Sequence, residues 1–328
     1  MQGHDDNSLR LPMRISGRLA PLLGMLALVA GHAGATEGAL GRSITGMQIT
    51  SYVGIVPPEP GMQWSLGYVN YNGSIGASRQ APIAGRVAPG VPAGIGLFCA
   101  TRGYVWPTGE GRWNYASMLT VPYIMPEVTA TLDAGGLQRR VSDSASNLFD
   151  LYFAPVIASY HVSQVEHWSF GLYVYAPTAE YDPDRLANPG LNVWTVSPGV
   201  GYTHLFQKGT LEFSALGAID WYSRNGDTDY KNGMVWRLDG LLVKRTASGW
   251  GFGAAGGWIQ QLQDDSGPTA DLLDGFRGRS FGLGPVVTYG KKWRGGAHLD
   301  LQLRYVKEFG VERRFEGEPL MVSASFGF

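Results

Sequence analysis

Three segments of the chain place acids and bases at every second position. Glu212 and Asp220 share one parity of Leu211–Tyr222, and Arg237 and Asp239 share one parity of Met234–Leu242. His298, Asp300, Arg304 and Glu308 share one parity of Ala297–Phe309. The other parity is apolar: Leu211, Phe213, Ala215, Ile219 and Trp221, then Met234, Trp236, Leu238 and Leu242, then Leu299, Leu301, Leu303 and Tyr305. A helix cannot use a period of two, because its faces repeat every 3.6 residues, whereas a strand points successive side chains to opposite sides. Opposite charges on neighbouring strands can pair across a sheet. These eight residues therefore read as a ladder of charge facing an enclosed polar space. It would serve either as a field-lined path for a solute or as filling for a narrow interior.

Other chemistry finds less support. A hydrolase needs a nucleophile, a histidine and a polar orienter within hydrogen-bond reach. No Gly-x-Ser-x-Gly elbow occurs. His161, His167 and His204 fall near predicted turns, and His298 alone shares the charged parity. No His-x-x-x-His spacing occurs, and Cys99 is the single cysteine, so neither a zinc site nor an internal disulfide is expected. The acidic stretch "QDDSGPTADLLDG" (Gln263–Gly275) lacks the spacing of an EF-hand and reads as a solvated loop. No catalytic residue, metal or cofactor is assigned.

What positions the charged parity is a series of long strands. The alternating runs are 9 to 13 residues long, where a soluble strand has about 5–6 and a tilted membrane strand about 9–11. About twelve are predicted, near 62–74, 112–123, 127–137, 148–162, 166–177, 192–206, 209–224, 232–245, 249–262, 278–291, 296–309 and 317–328. The third alternates weakly, and merging it with its neighbour would give ten. Tight turns at Gln207–Gly209, Thr246–Gly249 and Lys292–Gly296, with looser ones at Val162–His167 and Tyr123–Glu127, alternate with longer connections. These are Ile75–Gly111, Gln138–Asn147, Thr178–Leu191, Asn225–Lys231, Gln263–Arg277 and Gly310–Glu316.

Periodicity alone does not say which parity faces inward. A soluble sandwich or lipocalin-like barrel would bury the apolar row; an outer-membrane barrel turns it toward lipid. Four features favour the membrane. The strands are long. Trp221, Trp250, Trp258 and Tyr289 lie near strand ends, where interfacial aromatics belong. The chain stops on "LMVSASFGF", whose Val322, Ala324, Phe326 and Phe328 resemble the C-terminal signal read by the outer-membrane assembly machinery of Gram-negative bacteria. Finally, Arg14 and Arg18 precede the apolar run Leu19–Gly31 and an Ala33-Gly34-Ala35 motif, the layout of a signal peptide cleaved after Ala35, with translation starting at Met1 or Met13. Only 16% of residues are charged, 12% are aromatic and 47 are glycine, a balance that suits a polar lumen inside an apolar wall. A net charge of −1 with no basic patch argues against nucleic acid.

Beyond these patterns, "ANPGLNVWTVSPGVGYTHL" (Ala187–Leu205) resembles a hallmark of the meta-pathway phenol-degradation family of predicted outer-membrane proteins. "GIVPPEPGMQWSLGYVNYNG" (Gly54–Gly73), "GTLEFSA" (Gly209–Ala215), "NGDTDYKNG" (Asn225–Gly233), "QQLQDDSG" (Gln260–Gly267), "LGPVVTYG" (Leu283–Gly290) and "RRFEGE" (Arg313–Glu318) are similar to its other blocks, in matching order. Ser197 stands where the family pattern leads one to expect an acid. The resemblance implies a transporter-like barrel for uptake of aromatic or other hydrophobic small molecules and brings no catalytic residues.

The expected organisation is a signal peptide over 1–35, an N-terminal segment over 36–61 and an all-β, antiparallel transmembrane barrel over 62–328 with both termini periplasmic. The segment carries "VPPEPG", which suits extended backbone outside a sheet ladder; it is either a lumenal plug or a periplasmic tail. The expected partners are outer-membrane lipid and lipopolysaccharide, the assembly machinery and a small hydrophobic or aromatic ligand, with the protein a monomer. The alternatives are a structural barrel with a filled lumen and, less favoured, a barrel hydrolase.

Overall fold

The computed structural model describes residues 41–83, 86–109, 111–134, 137–294 and 296–327; the predicted signal peptide and Phe328 lie outside them. Twelve long strands carry the architecture: β1 (Gly61–Ile83), β2 (Arg86–Val105), β3 (Trp113–Ala134), β4 (Leu151–His161), β5 (Glu166–Ala176), β6 (Thr195–Phe206), β7 (Leu211–Tyr222), β8 (Val235–Arg245), β9 (Trp250–Gln261), β10 (Arg279–Lys292), β11 (His298–Tyr305) and β12 (Leu320–Gly327). Each pairs antiparallel with its sequence neighbour, and β12 pairs with β1 from Gln63↔Gly327 to Asn70↔Leu320, closing the ring. Among the described residues no helix is long and apolar enough to cross a membrane.

The parity argument sets the two faces. On β7, Phe213 and Trp221 are exposed while Glu212, Ser214, Leu216, Ala218, Asp220 and Tyr222 are buried. β8 does the same, with Leu238 and Leu242 outside and Arg237, Asp239, Leu241 and Val243 inside. Two belts of exposed aromatics ring the outer face. Trp64, Tyr104, Trp113, Trp168 and Trp250 lie at the rim that carries the short turns, and Trp194, Trp221 and Trp258 lie toward the other. Tyr289 lies beside Trp250, the rings tilted at 53° with centroids 5.1 Å apart. A closed antiparallel barrel with an apolar outer band between aromatic belts is the form in which strands satisfy every ladder group inside hydrocarbon.

The predicted count of twelve survives two errors that cancel. Ile75–Gly111, expected to be a long external loop, completes β1 and supplies all of β2, which pairs with β3 from Ala93↔Val128 to Val105↔Ala116. Its "APGVPAGIG" run reads as loop because proline and glycine are depleted from ordinary strands; here the neighbouring ladders impose the conformation. Tyr123–Glu127, expected to turn between two strands, is instead the continuous middle of β3, with Pro126 paired to Ile95. Short strands Leu137–Ser144 and Lys307–Glu312 also extend into Gln138–Asn147 and Gly310–Glu316, two stretches expected to be loops.

At the long-connection rim an apolar cluster caps the barrel. Tyr71, Ile75, Val91, Ala93, Val128 and Ala130 from β1–β3 meet Ala187, Phe276 and Phe315 from the connecting loops. Leu119 lies between Trp113 and Tyr123 on the outer face of β3 and is 45% exposed. Replacing it by arginine should cost about 2–4 kcal/mol, the range for a cation near mid-bilayer, read as a lowered urea midpoint in liposomes.

Candidate functional site

Residues 41–56 run through the interior. The path starts at the long-connection rim, where Arg42 donates from Nη1 to Asp150 Oδ2 (2.6 Å), from Nη2 to Val193 O (2.7 Å) and from Nε to Thr195 Oγ1 (3.1 Å). It ends at the short-turn rim. There Gly54 N donates to Thr203 Oγ1 (2.9 Å), while Ser159 and Ser169 donate to Gly54 O (2.7 Å) and Val53 O (2.8 Å). Pro57–Pro60 then lead into β1. Residue 41 thus lies at the long-connection rim, while the start of β1 and the end of β12 meet at the short-turn rim.

This segment is main chain outside any ladder, and its buried N–H and C=O groups need partners. The charged parity provides them. Asp239 accepts from Gly46 N (3.0 Å) and Gln48 N (2.9 Å). Glu212 accepts from Tyr52 N (2.6 Å) and pairs with Arg245 at 2.5 Å. Arg304, fully buried, donates to Gly46 O and Ile49 O at 2.7 Å each. Side chains bond too: Ser43 to Asp220 Oδ2 (2.9 Å) and Thr45 to Glu308 Oε1 (2.6 Å). Between these contacts Ile49 and Val53 pack on Leu216, Leu241, Val243, Ala255 and Val286, an apolar patch on the inner wall. Gly46 takes φ +73°, a region open to glycine, and a Cβ added to Gly257 opposite would meet Gly46 N at 2.4 Å. Both glycines let main chain lie on main chain.

Of the eight predicted lumenal residues, Glu212, Asp220, Asp239, Arg304 and Glu308 touch the segment, and Arg237 reaches it through Asp220, to which its Nε donates (3.2 Å). The expected cross-strand pairing is realised between Asp220 and Arg237. His298 and Asp300 lie at the short-turn rim, half-buried and exposed. In the C-terminal signal, Val322 is exposed on the outer face, Ala324 and Phe326 are partly buried, and Gly327 is the last described residue. Sequence reasoning missed Arg42, Asp150, Tyr71, Thr45 and Ser280. Tyr71 donates to Glu308 Oε2 (2.8 Å), and Thr45 shares a bond with Ser280 (2.7 Å). The inward parity of β1 and β10 marks Tyr71 and Ser280, but nothing local marks Arg42. Of the histidines weighed for hydrolysis, His161 faces His167 with Nδ1 atoms 2.7 Å apart and places Nε2 against Asn114 Oδ1 (2.7 Å).

Opposite the segment the inner wall is different. Ser65, Gly67, Cys99, Thr101, Ser323 and Ser325, on β12, β1 and β2, are small and only half-buried. A strip of the inner wall that crosses these three strands is therefore lined by small residues and only half-buried.

A family model described as "Putative MetA-pathway of phenol degradation" matches residues 98–324, from within β2 to within β12. The chain belongs to that family. No sequence among curated proteins matches it. Among solved structures it is similar to the COG4313 outer membrane channel from Pseudomonas putida F1, with 16% identity, 86% of this chain and 100% of that chain covered, and a TM-score of 0.64. It is also similar to a Pseudomonas aeruginosa FadL homologue (11% identity, 91% and 99% covered, TM-score 0.43) and to the CymD monoaromatic hydrocarbon channel (11%, 90% and 97%, 0.45). The first of these shares the fold, that of an outer-membrane barrel, and this protein is located in the outer membrane.

Two predictions follow from the network. Asp239→Ala leaves two buried N–H groups of the segment without acceptors and should cost about 3 kcal/mol. Ser323→Ala on the open strip should stay within about 0.5 kcal/mol. Denaturation in detergent, with protease cleavage within residues 41–60 as a second readout, checks both. At the long-connection rim, burial pushes the Asp265 carboxyl up to about 6, against the hydrogen bonds it accepts from Tyr230, Gly233 N and Gln261. A raised carboxyl binds its proton more tightly in the folded loop, so this stabilisation is full in acid and is lost as pH rises through about 6. Hydrogen exchange in the loop 262–278, corrected for intrinsic rate, should show weaker protection at pH 8 than at pH 5, and Asp265→Asn should remove the difference.

Proposed function

We propose that this protein is a passive outer-membrane channel for small hydrophobic, in particular aromatic, molecules, and that residues 41–56 are a plug whose displacement widens the path. The observation that carries this reading is the asymmetry of the lumen. The segment is bonded along β4–β11, while the strip on β12, β1 and β2 stays half-open and lined by small side chains. A barrel built only as a wall has no need to leave one side unfilled. About eight strands are just filled by side chains and about sixteen leave an aqueous pore, so twelve closed by a peptide segment suits a narrow, gated passage. The apolar cap at the long-connection rim supports a hydrophobic solute arriving from outside, and the family's description points to aromatic catabolism. In this reading the short turns and the end of β12 face the periplasm, the chain works as a monomer in lipid and lipopolysaccharide, and the assembly machinery reads its last strand.

Cys99, the single cysteine, lies on the open strip and reports on the passage. Deleting residues 42–53 should speed maleimide labelling of Cys99 in outer-membrane vesicles several-fold, and removing the protein should slow uptake of labelled toluene by whole cells. Unchanged uptake with weakened envelope integrity would favour the structural alternative, a barrel with no transport role.

A further inference from the structure

Just inside the long-connection rim an arginine from β8 and three tyrosines from β4 and β5 converge. Arg237 on β8 is 4% exposed; its Nε is taken by Asp220, but its Nη1 meets no acceptor among the described residues. A buried guanidinium N–H without an acceptor is costly and uncommon. Across from it stand Tyr152 on β4 and Tyr173 and Tyr175 on β5, all facing inward. Tyr152 and Tyr175 stack with centroids 4.4 Å apart, and Tyr152 and Tyr173 lie at 14° to each other with centroids 6.1 Å apart. Tyr173 lies flat on the wall because Gly171 and Gly199 are beneath it; a Cβ there would come within 2.8 and 3.1 Å of its ring. The Arg42 guanidinium covers Tyr175 from above at 4.9 Å. The charge of Arg237 acts on all three phenols, and Tyr152 pairs with Thr120 of β3, which shares a hydrogen bond with Thr101 (2.8 Å), so the cluster adjoins the open strip. Tyr152 and Tyr175 keep part of their surface accessible although they are inside the wall.

We infer that Arg237, Tyr152, Tyr173 and Tyr175 form a binding site for a neutral, planar aromatic molecule bearing a hydrogen-bond-accepting oxygen, with the oxygen on Arg237 Nη1 and the ring against the tyrosines. This deepens the channel reading and rests on it. Neutrality follows from the charges nearby. Asp220 already balances Arg237, and Asp150 balances Arg42 at 2.6 Å. An added carboxylate would meet Asp220 and Asp239 with no cation left to offset it, whereas a carbonyl or phenol oxygen meets only the free donor. An aromatic without oxygen gains the stacking and leaves Nη1 unsatisfied.

The test uses the full mature chain in detergent and follows protection of Cys99 from maleimide by acetophenone, ethylbenzene and benzoate. Acetophenone should protect saturably and better than either of the others. In the double variant Asp220→Asn/Arg237→Gln, which removes the charge pair together and avoids an orphaned carboxylate, acetophenone should weaken by roughly tenfold or more and ethylbenzene by less than about twofold. Tyr175→Leu, which leaves the pair intact, should weaken both. Equal loss of acetophenone and ethylbenzene in the double variant, no loss of either, or benzoate protecting best would overturn the assignment. Heat-shifted mobility on gels confirms that each variant is folded. Binding with this pattern in a protein whose removal leaves cellular uptake unchanged would sink the channel reading and keep the site; uptake without such binding would do the reverse.

Discussion

No backbone polar group can be left unpaired in hydrocarbon, and the rest of the molecule follows from that constraint. It forces β12 onto β1, because an open edge would present a row of unmet N–H and C=O groups to lipid. Closure at twelve strands then fixes an interior too wide for wall side chains alone to fill. The chain fills it with its own backbone, and the same constraint returns inside the lumen. Residues 41–56 have no neighbouring strand to pair with, so acids accept their N–H groups and arginine and serine donate to their carbonyls. The lumenal charge is best understood as the counterpart of a buried peptide rather than as a ladder of ion pairs.

That distinction explains what the sequence disclosed. Which residues face the lumen was legible, because a period of two and a closed wall leave no freedom: all of Glu212, Asp220, Arg237, Asp239, Arg304 and Glu308 are buried inside. What they bind was not. Arg304 is 258 positions from Gly46, and Arg42 is 108 from Asp150, and no local pattern encodes such pairings. The strand count was legible only in total. β2 hides behind its prolines and glycines, which are tolerated because both flanking ladders hold it, and β3 was cut at Pro126 for the same reason. Local propensity yields to pairing where every strand has two partners.

Three stretches of the inner wall do different work. β7–β10 offer an apolar patch to Ile49 and Val53, and acids to the backbone around them. β4 and β5 offer a stack of tyrosines, with Tyr173 flat over Gly171 and Gly199. β12, β1 and β2 offer small side chains. Peptide, aromatic stack and open strip lie side by side around one ring, so a shift of the peptide changes the space before the tyrosines without moving any strand.

The chain threads its own barrel, running from one rim to the other before β1 begins. A finished cylinder cannot be entered by the stretch that leads into its first strand unless that stretch is drawn through like a cord. Laying residues 41–56 against β4–β11 while the wall is still an open sheet, and joining β12 to β1 last, avoids the problem. The simplest order consistent with this topology has the seam close over a lumen already occupied.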